Sequence, residues 1–278
     1  EMFCHVSWDL ALKAQSYGLI GKLQLLLDAD EHTGRFRAIK RFMQEKGPID
    51  GVYIGYPGSN AIKIGARGFV RARIRFSAES GHTGSRSAPP ATVFEKASRF
   101  IRSVSQLNLS EFHSTEFEMA PKITVTAVNG GEGYSSYADS CVVLVDIRLV
   151  PGFEAKRAQK LIKDLLLQCD QTFPDNYPTQ LDFEQSWPPY KIDASRPLVS
   201  ALREATEEVL GRPINLEVAG PSNVGNFLAT EQIDATCGFG VEYRNIHDAD
   251  ESVSIDSIEP TYKIYRSALL KLFSSHRT

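Results

Sequence analysis

The sequence predicts an α/β fold, with a mainly parallel-sheet domain interrupted by a smaller ferredoxin-like βαββαβ insert. Three observations predict it. Residues 1–58 alternate helical and strand patterns in the order α-β-α-β, the grammar of helices packed on a parallel sheet. From about Gly68 the pattern changes to strands of period two with amphipathic helices between them, in the order β-α-β-β-α-β. After Tyr190 the chain returns to helices and short apolar pieces between glycines. The division this implies is 1–68 with 185–278 for the main domain and 69–184 for the insert. A chain of 278 residues is long enough to bury both cores.

Phe3, Val6, Leu10, Ala14 and Tyr17 recur at helical spacing, and Gly18 ends that helix. Lys22–Leu27 reads as a buried strand. It runs into Asp28-Ala29-Asp30-Glu31-His32-Thr33-Gly34, so it would deliver acidic groups to its C-terminal end, where open α/β sheets place their chemistry. Ile39, Phe42 and Met43 mark a second helix, closed by Lys46-Gly47-Pro48; Val52-Tyr53-Ile54 is a short buried strand and Gly55-Tyr56-Pro57-Gly58 a turn. In the insert, Val70, Ala72, Ile74 and Phe76 alternate with Arg71, Arg73 and Arg75, a strand with one wet face. A helix follows with Val93, Ala97, Phe100, Ile101 and Val104 inward. Strands at 123–128 and 142–149 flank a turn-rich stretch. A helix carrying Ala158, Leu161, Ile162, Leu165 and Leu166 then leads to a strand near 179–183. The main domain resumes with a helix whose Leu198, Leu202, Ala205 and Val209 share a face, ended by Gly211. The last helix, after Ser257, buries Tyr262, Tyr265, Leu269 and Leu272.

Net charge is −3, and the arginine stripe at 71–75 has no aromatic residues interleaved for base stacking, so no nucleic-acid partner is expected. No apolar run approaches the roughly 18 residues that span a bilayer, so no membrane partner is expected either. Cys4, Cys141, Cys169 and Cys237 are scattered without a CxxC pair, and read as buried thiols of a cytoplasmic, reducing compartment.

Three polar clusters stand apart in sequence: Asp30-Glu31-His32, Gly81-His82-Thr83-Gly84, and His247 to Glu251. Carboxylate and imidazole together suit zinc and the activation of water, with a neighbouring carboxylate as general base. Each cluster alone also reads as an ordinary polar turn, with Asp30 as a helix cap and Asp248, Asp250 and Glu251 solvated.

Taken in order, these stretches resemble the peptidase M20 family of zinc amidohydrolases, which includes acetylornithine deacetylases, succinyl-diaminopimelate desuccinylases, aminoacylases and carboxypeptidase G2-like enzymes. Asp30-Glu31-His32-Thr33-Gly34 resembles the family's Asp-Glu-Glu-x-Gly turn, and Gly65-Ala66-Arg67-Gly68 its Gly-x-Arg-Gly entry to a dimerisation domain. Gly81-His82-Thr83-Gly84 is similar to Ala-His-Ser-Gly, Asp146-Ile147-Arg148 with Pro151-Gly152 to Asp-x-Arg…Pro-Gly, and Asn245 to Glu251 to the late His-x-x-x-Glu motif. Each motif alone is weak; their common order is specific.

The resemblance implies hydrolysis of an amide bond in an N-acyl amino acid or small peptide. The main domain would be catalytic and the insert would be the dimerisation domain of a homodimer. Glu31 would be the general base toward water, and His82 of a neighbouring subunit would stabilise the oxyanion. His247, His32 and Glu1 would be metal ligands, for one or two zinc ions or for the cobalt or manganese that the same donors accept. Ser222 and Asn223 would lie near the substrate. Arg148 would take its carboxylate, or else form a structural pair with Asp146.

The chain also departs from the family pattern. The first metal motif, His-x-Asp, is absent, and the expectation is a chain lacking the N-terminal part of the family's catalytic domain. Matching Glu1-Met2 to the family's Asp-Met makes Glu1 a bridging ligand; a register two residues off places that ligand outside the chain. His32 stands where a second Glu is usual, and Tyr56 where a carboxylate ligand is usual. A second reading is therefore a metal-free, non-catalytic homologue acting as a dimeric binding protein. The retention of Glu31, His82 and His247 together argues against it.

Overall fold

A first helix begins the chain: the described residues among 2–11 are helical, and Val6 and Leu10, one turn apart, are 2% and 4% exposed. The computed structural model describes residues 2, 4, 6, 7, 9–11, 21–28, 33–173, 177–236, 238–246 and 248–275. Phe3, Ala14 and Tyr17 of the predicted stripe lie outside them. The chain divides into two units, 1–66 with 190–278, and 67–189.

In the first unit, the expected strand Lys22–Leu27 is not one. Residues 22–28 have no regular structure, and Leu23, Leu25 and Leu27 are 38%, 40% and 77% exposed. A strand exists only through ladder bonds to a neighbour, and among the described residues none runs beside this segment. Helix α1 (Arg37–Lys46) follows and buries Ile39; it ends at Gly47, whose φ of 83° glycine adopts without the strain a side chain would bring. Strand β1 (Gly51–Tyr53) and then β2 (Ala61–Ala66) come next. Strand β2 has no counterpart in the sequence reading: Ala61-Ile62-Lys63-Ile64-Gly65-Ala66 is almost wholly buried, so it lacks the alternation that marks a half-wet strand.

The second unit carries β3 (Gly68–Ser77), β4 (Gly81–His82), α2 (Val93–Ser105), β5 (Lys122–Gly130), β6 (Ser136–Tyr137), β7 (Ser140–Leu149), α3 (Ala155–Thr172) and β8 (Gln180–Trp187). Its main sheet has the order β5-β7-β3-β8 with every pair antiparallel, the split βαβ arrangement. Strand β3 alternates as its sequence demands: Val70, Ala72, Ile74 and Phe76 are at most 3% exposed, while Arg73 and Arg75 face solvent. Helix α2 starts in a capping box. Thr92 Oγ1 accepts from the Glu95 amide at 3.2 Å, and Glu95 Oε2 accepts from the Thr92 amide at 2.7 Å. Its Phe100 meets Phe76 with ring centroids 6.0 Å apart. Lys96 is 1% exposed, and its ammonium donates to the carbonyls of Ser77 and Tyr177 at 2.8 and 3.2 Å.

The first unit resumes with β9 (Tyr190–Lys191), α4 (Pro197–Leu210), β10 (Asn215–Ala219), α5 (Val224–Thr230), β11 (Asp234–Thr236), the hairpin strands β12 (Tyr243–Arg244) and β13 (Ser252–Val253), and α6 (Ile258–Ser275). Strands β1 and β11 are parallel, as are β2 and β10, while β9 adds antiparallel to β2. Val6 and Leu10 join Ile62, Ile64, Leu202 and Tyr265 in one core, and Arg266 pairs with Asp9 at 2.5 Å.

The thiols need one correction. Cys141 and Cys169 are buried, and burial pushes both thiols up in pKa, but Cys4 is exposed, and Cys237 lies outside the described residues. A polar, partly apolar helix offers a surface position to a small side chain, and scattered spacing does not tell such a site from a core one.

Candidate functional site

In the first unit the parallel strands β1 and β11 end at Tyr53 and Thr236, and the loop after each carries polar groups. Loop 55–58 runs against 238–240. A side chain at Gly238 would put its Cβ 1.4 Å from the Tyr56 carbonyl, and one at Gly240 would lie 2.4 Å from that of Gly55. Two glycines are therefore what let these backbones touch, with the Gly240 amide donating to the Gly58 carbonyl at 2.7 Å. Tyr56 sits in this loop. The Thr236 hydroxyl is buried with no hydrogen-bond partner among the described residues. Strand ends of this kind are where open α/β sheets bind ligands.

Strand β10 leads through Gly220-Pro221-Ser222 to Asn223, which is 3% exposed. Its Oδ1 accepts from the Gly225 amide at 2.7 Å, and its own amide donates to Asn226 Oδ1 at 2.9 Å. Tyr190 Oη lies 3.4 Å from the same Oδ1. Asn223 is thus the N-cap of α5, a task that the type of side chain explains fully. Ser222 is half-buried beside it.

In the second unit, Arg148 lies on β7 two residues from Asp146, on the same face of the strand, and Arg148 Nε meets Asp146 Oδ1 at 2.7 Å. This is the structural pair that the sequence holds open as one of two roles. Arg67 is close to both: burial and the Arg148 charge pull its guanidinium below the ordinary value, with Asp146 opposing. Arg67 Nη1 also donates to the Ala120 carbonyl at 2.9 Å. Two guanidiniums around one carboxylate leave a net positive charge, which suits an anion such as a carboxylate.

His82 is exposed at the end of β4, which pairs with β6 through Gly81↔Tyr137 and His82↔Ser136. The Ser85 amide and hydroxyl both donate to the His82 carbonyl, at 3.0 and 2.7 Å, so residues 82–85 close a tight turn.

Glu31, His32, Glu1 and His247 all lie outside the described residues. Among the described residues no three His, Cys, Asp or Glu side chains come together as a metal site. The donors named from the sequence are imidazole and carboxylate, a set that fits zinc in kind. Tyr56, expected where a carboxylate ligand is usual, would be a poor ligand there, since a phenol is protonated at neutral pH.

Glu242 was not singled out from the sequence. It lines a cleft of about 170 Å³ with Ser59, Ser254, Ser257 and Thr261, and Ser59 Oγ donates to its Oε1 at 3.2 Å. Among the described residues no helix is long and apolar enough to cross a membrane.

Among known proteins, the chain is 26% identical to a succinyl-diaminopimelate desuccinylase of Sulfurovum sp. (strain NBC37-1), over 90% of its own length and 67% of that protein's. It is 25% identical to an acetylornithine deacetylase of Vibrio cholerae, over 90% of its own length and 65% of that protein's. It spans about two thirds of the length of these curated relatives. The fold matches a crystal structure of an aminopeptidase from Bacillus cereus with a TM-score of 0.72 at 15% identity, covering 96% of this chain and 69% of that one. A tripeptidase from Staphylococcus aureus gives a TM-score of 0.68 at 18% identity, covering 86% of this chain and 61% of that one. The model of one family, "Peptidase family M20/M25/M40", matches residues 7–271, and so nearly the whole chain belongs to that family.

Proposed function

We propose that this chain belongs to a metal-dependent amide hydrolase that removes an acyl group from an amino acid or cleaves a small peptide. The observation that carries the reading is the family match over residues 7–271, with a desuccinylase and a deacetylase among the relatives. A divalent metal, zinc by the chemistry of its donors, would be held by His247, His32 and Glu1, and when bound it polarises a carbonyl and acidifies water.

The chain's own groups do the rest. Glu31 takes a proton from water as its oxygen attacks the amide carbon, and returns that proton to the leaving nitrogen. His82 of the partner subunit donates to the oxygen that becomes negative in the tetrahedral state. Arg148, held by Asp146, binds the substrate carboxylate, with the Arg67 charge adding to the attraction. Ser222 offers a hydroxyl at the N-terminus of α5; Asn223 holds that helix start in shape. The unit 67–189 acts as the dimerisation domain, which makes the working form a homodimer of a cytoplasmic enzyme.

Activity on N-succinyl and N-acetyl amino acids tests this, run on the 278-residue chain beside the longest product its gene encodes. His82→Ala is expected to lower kcat by about 10²–10³ with a small change in KM. A His82→Ala protein with full kcat would remove the oxyanion role. Tyr56 favours a second reading, a metal-free binding protein. Elemental analysis separates the two: stoichiometric metal in an active longer product supports the hydrolase, and none in either form supports the binder.

A further inference from the structure

We infer that Gly84 is a positioning residue that sets the tautomer of His82. The Gly84 amide donates to His82 Nδ1 at 3.0 Å. A neutral imidazole has one bare nitrogen and one N–H, and the partner of one nitrogen decides which is which. An N–H donor on Nδ1 requires that nitrogen to be bare, so the proton sits on Nε2, and the ring presents Nε2–H as a donor. A neutral His82 with the proton on Nδ1 would face the Gly84 amide hydrogen with another hydrogen and offer a lone pair where a donor is needed. This inference rests on the oxyanion role proposed for His82, and it adds a residue that the role requires.

Position 84 is also crowded by the same ring. A Cβ at Gly84 would lie 3.2 Å from both Cε1 and Nδ1 of His82, tight enough to push the imidazole by a few tenths of an ångström. The rest of the turn is built to hold the pair together. The Thr83 amide donates to the Ser135 carbonyl at 2.9 Å, and Ser85 closes the turn onto the His82 carbonyl through both its amide and its hydroxyl. The amide of Gly84 thereby orients the ring, and the absence of a side chain lets the ring lie against it.

The test is ¹⁵N NMR of the uniformly ¹⁵N-labelled 278-residue chain, at the alkaline plateau of the spectrum, with His82 assigned from a His82→Gln variant. His113, an exposed histidine of the same unit, is the internal reference. His82 should show a higher Nε2–H fraction than His113 and a coupling across the hydrogen bond between the Gly84 amide nitrogen and Nδ1. Gly84→Pro, which has no amide hydrogen, should shift the tautomer ratio about fivefold toward Nδ1–H, the worth of one neutral hydrogen bond. Gly84→Ala keeps the amide, so it should keep the Nε2–H tautomer while lowering kcat in whichever gene product is active. A His82 tautomer ratio equal to that of His113, with no coupling in the wild-type chain, would overturn the inference. The NMR reads Gly84 without catalysis, so intact activity in His82→Ala would remove the oxyanion role and leave the tautomer result standing.

Discussion

Strand β3 and segment 22–28 are both rich in large apolar side chains, and their fates differ. In β3, Ile74 and Phe76 are 0% exposed, held between β7 and β8 and under the helix that carries Phe100. In the segment, Leu27 is 77% exposed and the described residues offer it no ladder. The difference lies in neighbours rather than in hydrophobicity. An apolar run lowers the cost of being buried, but burial itself is supplied by the two strands and the helix that close over it.

The largest test of that comparison is Phe76→Ala, expected to destabilise the 67–189 unit by about 3–5 kcal/mol in urea denaturation, from lost transfer energy and the cavity left behind. Next is Tyr265→Phe in the other unit. The buried Tyr265 hydroxyl donates to the Phe239 carbonyl, and removing it leaves that oxygen unsatisfied, a cost of about 1–3 kcal/mol. Thr92→Ala removes the cap of α2 and should cost about 0.5–2 kcal/mol. That cost should depend on pH. The Thr92 amide and hydroxyl hold the Glu95 carboxyl below its ordinary value, so the contribution of this pair is fully present above the carboxylate range. It fades as pH falls through the depressed value. Since Glu95 is at the surface the fading should be shallow. The smallest expected effect is Leu27→Ala, within about 0.5 kcal/mol. A loss above about 2 kcal/mol there would mean that the segment is covered in solution, and the contrast with β3 would fail.

The insert was legible because its signals are local. The alternation in β3 and the run Ala158, Ile162, Leu165 each name a periodicity and a face. Helix ends were legible for the same reason: Gly47 and Gly211 take positive φ where the helical patterns stop. Strand β2 was not legible, because a strand buried on both faces carries no alternation, and its glycine and lysine dilute the apolar run. Lys96 was read over in the same way: on a helix a lysine looks solvent-facing until carbonyls from two other segments meet it.

For the candidate site, the kinds of group were legible and their employment was not. Asp146-Ile147-Arg148 puts a carboxylate and a guanidinium on one strand face, and their pairing follows from period two alone. The proximity of Arg67, far upstream in sequence, does not. Asn223, expected near a substrate, has its oxygen engaged in capping the helix that follows, and the Asn223…Asn226 spacing just before a short apolar stretch carries that signature.

By itself, the sequence determined the alternation that turns β3 into a two-faced strand, the helices that cover it, and the ordered motifs that place the chain in its family. Those are properties of spacing, and spacing survives without coordinates. Tertiary structure alone decided which apolar runs found a ladder and which polar groups were spent on the fold. It also set the Gly84 amide against one nitrogen of His82. Such outcomes depend on what lies across from a residue, and the backbone that brings distant segments together is the only thing that specifies it.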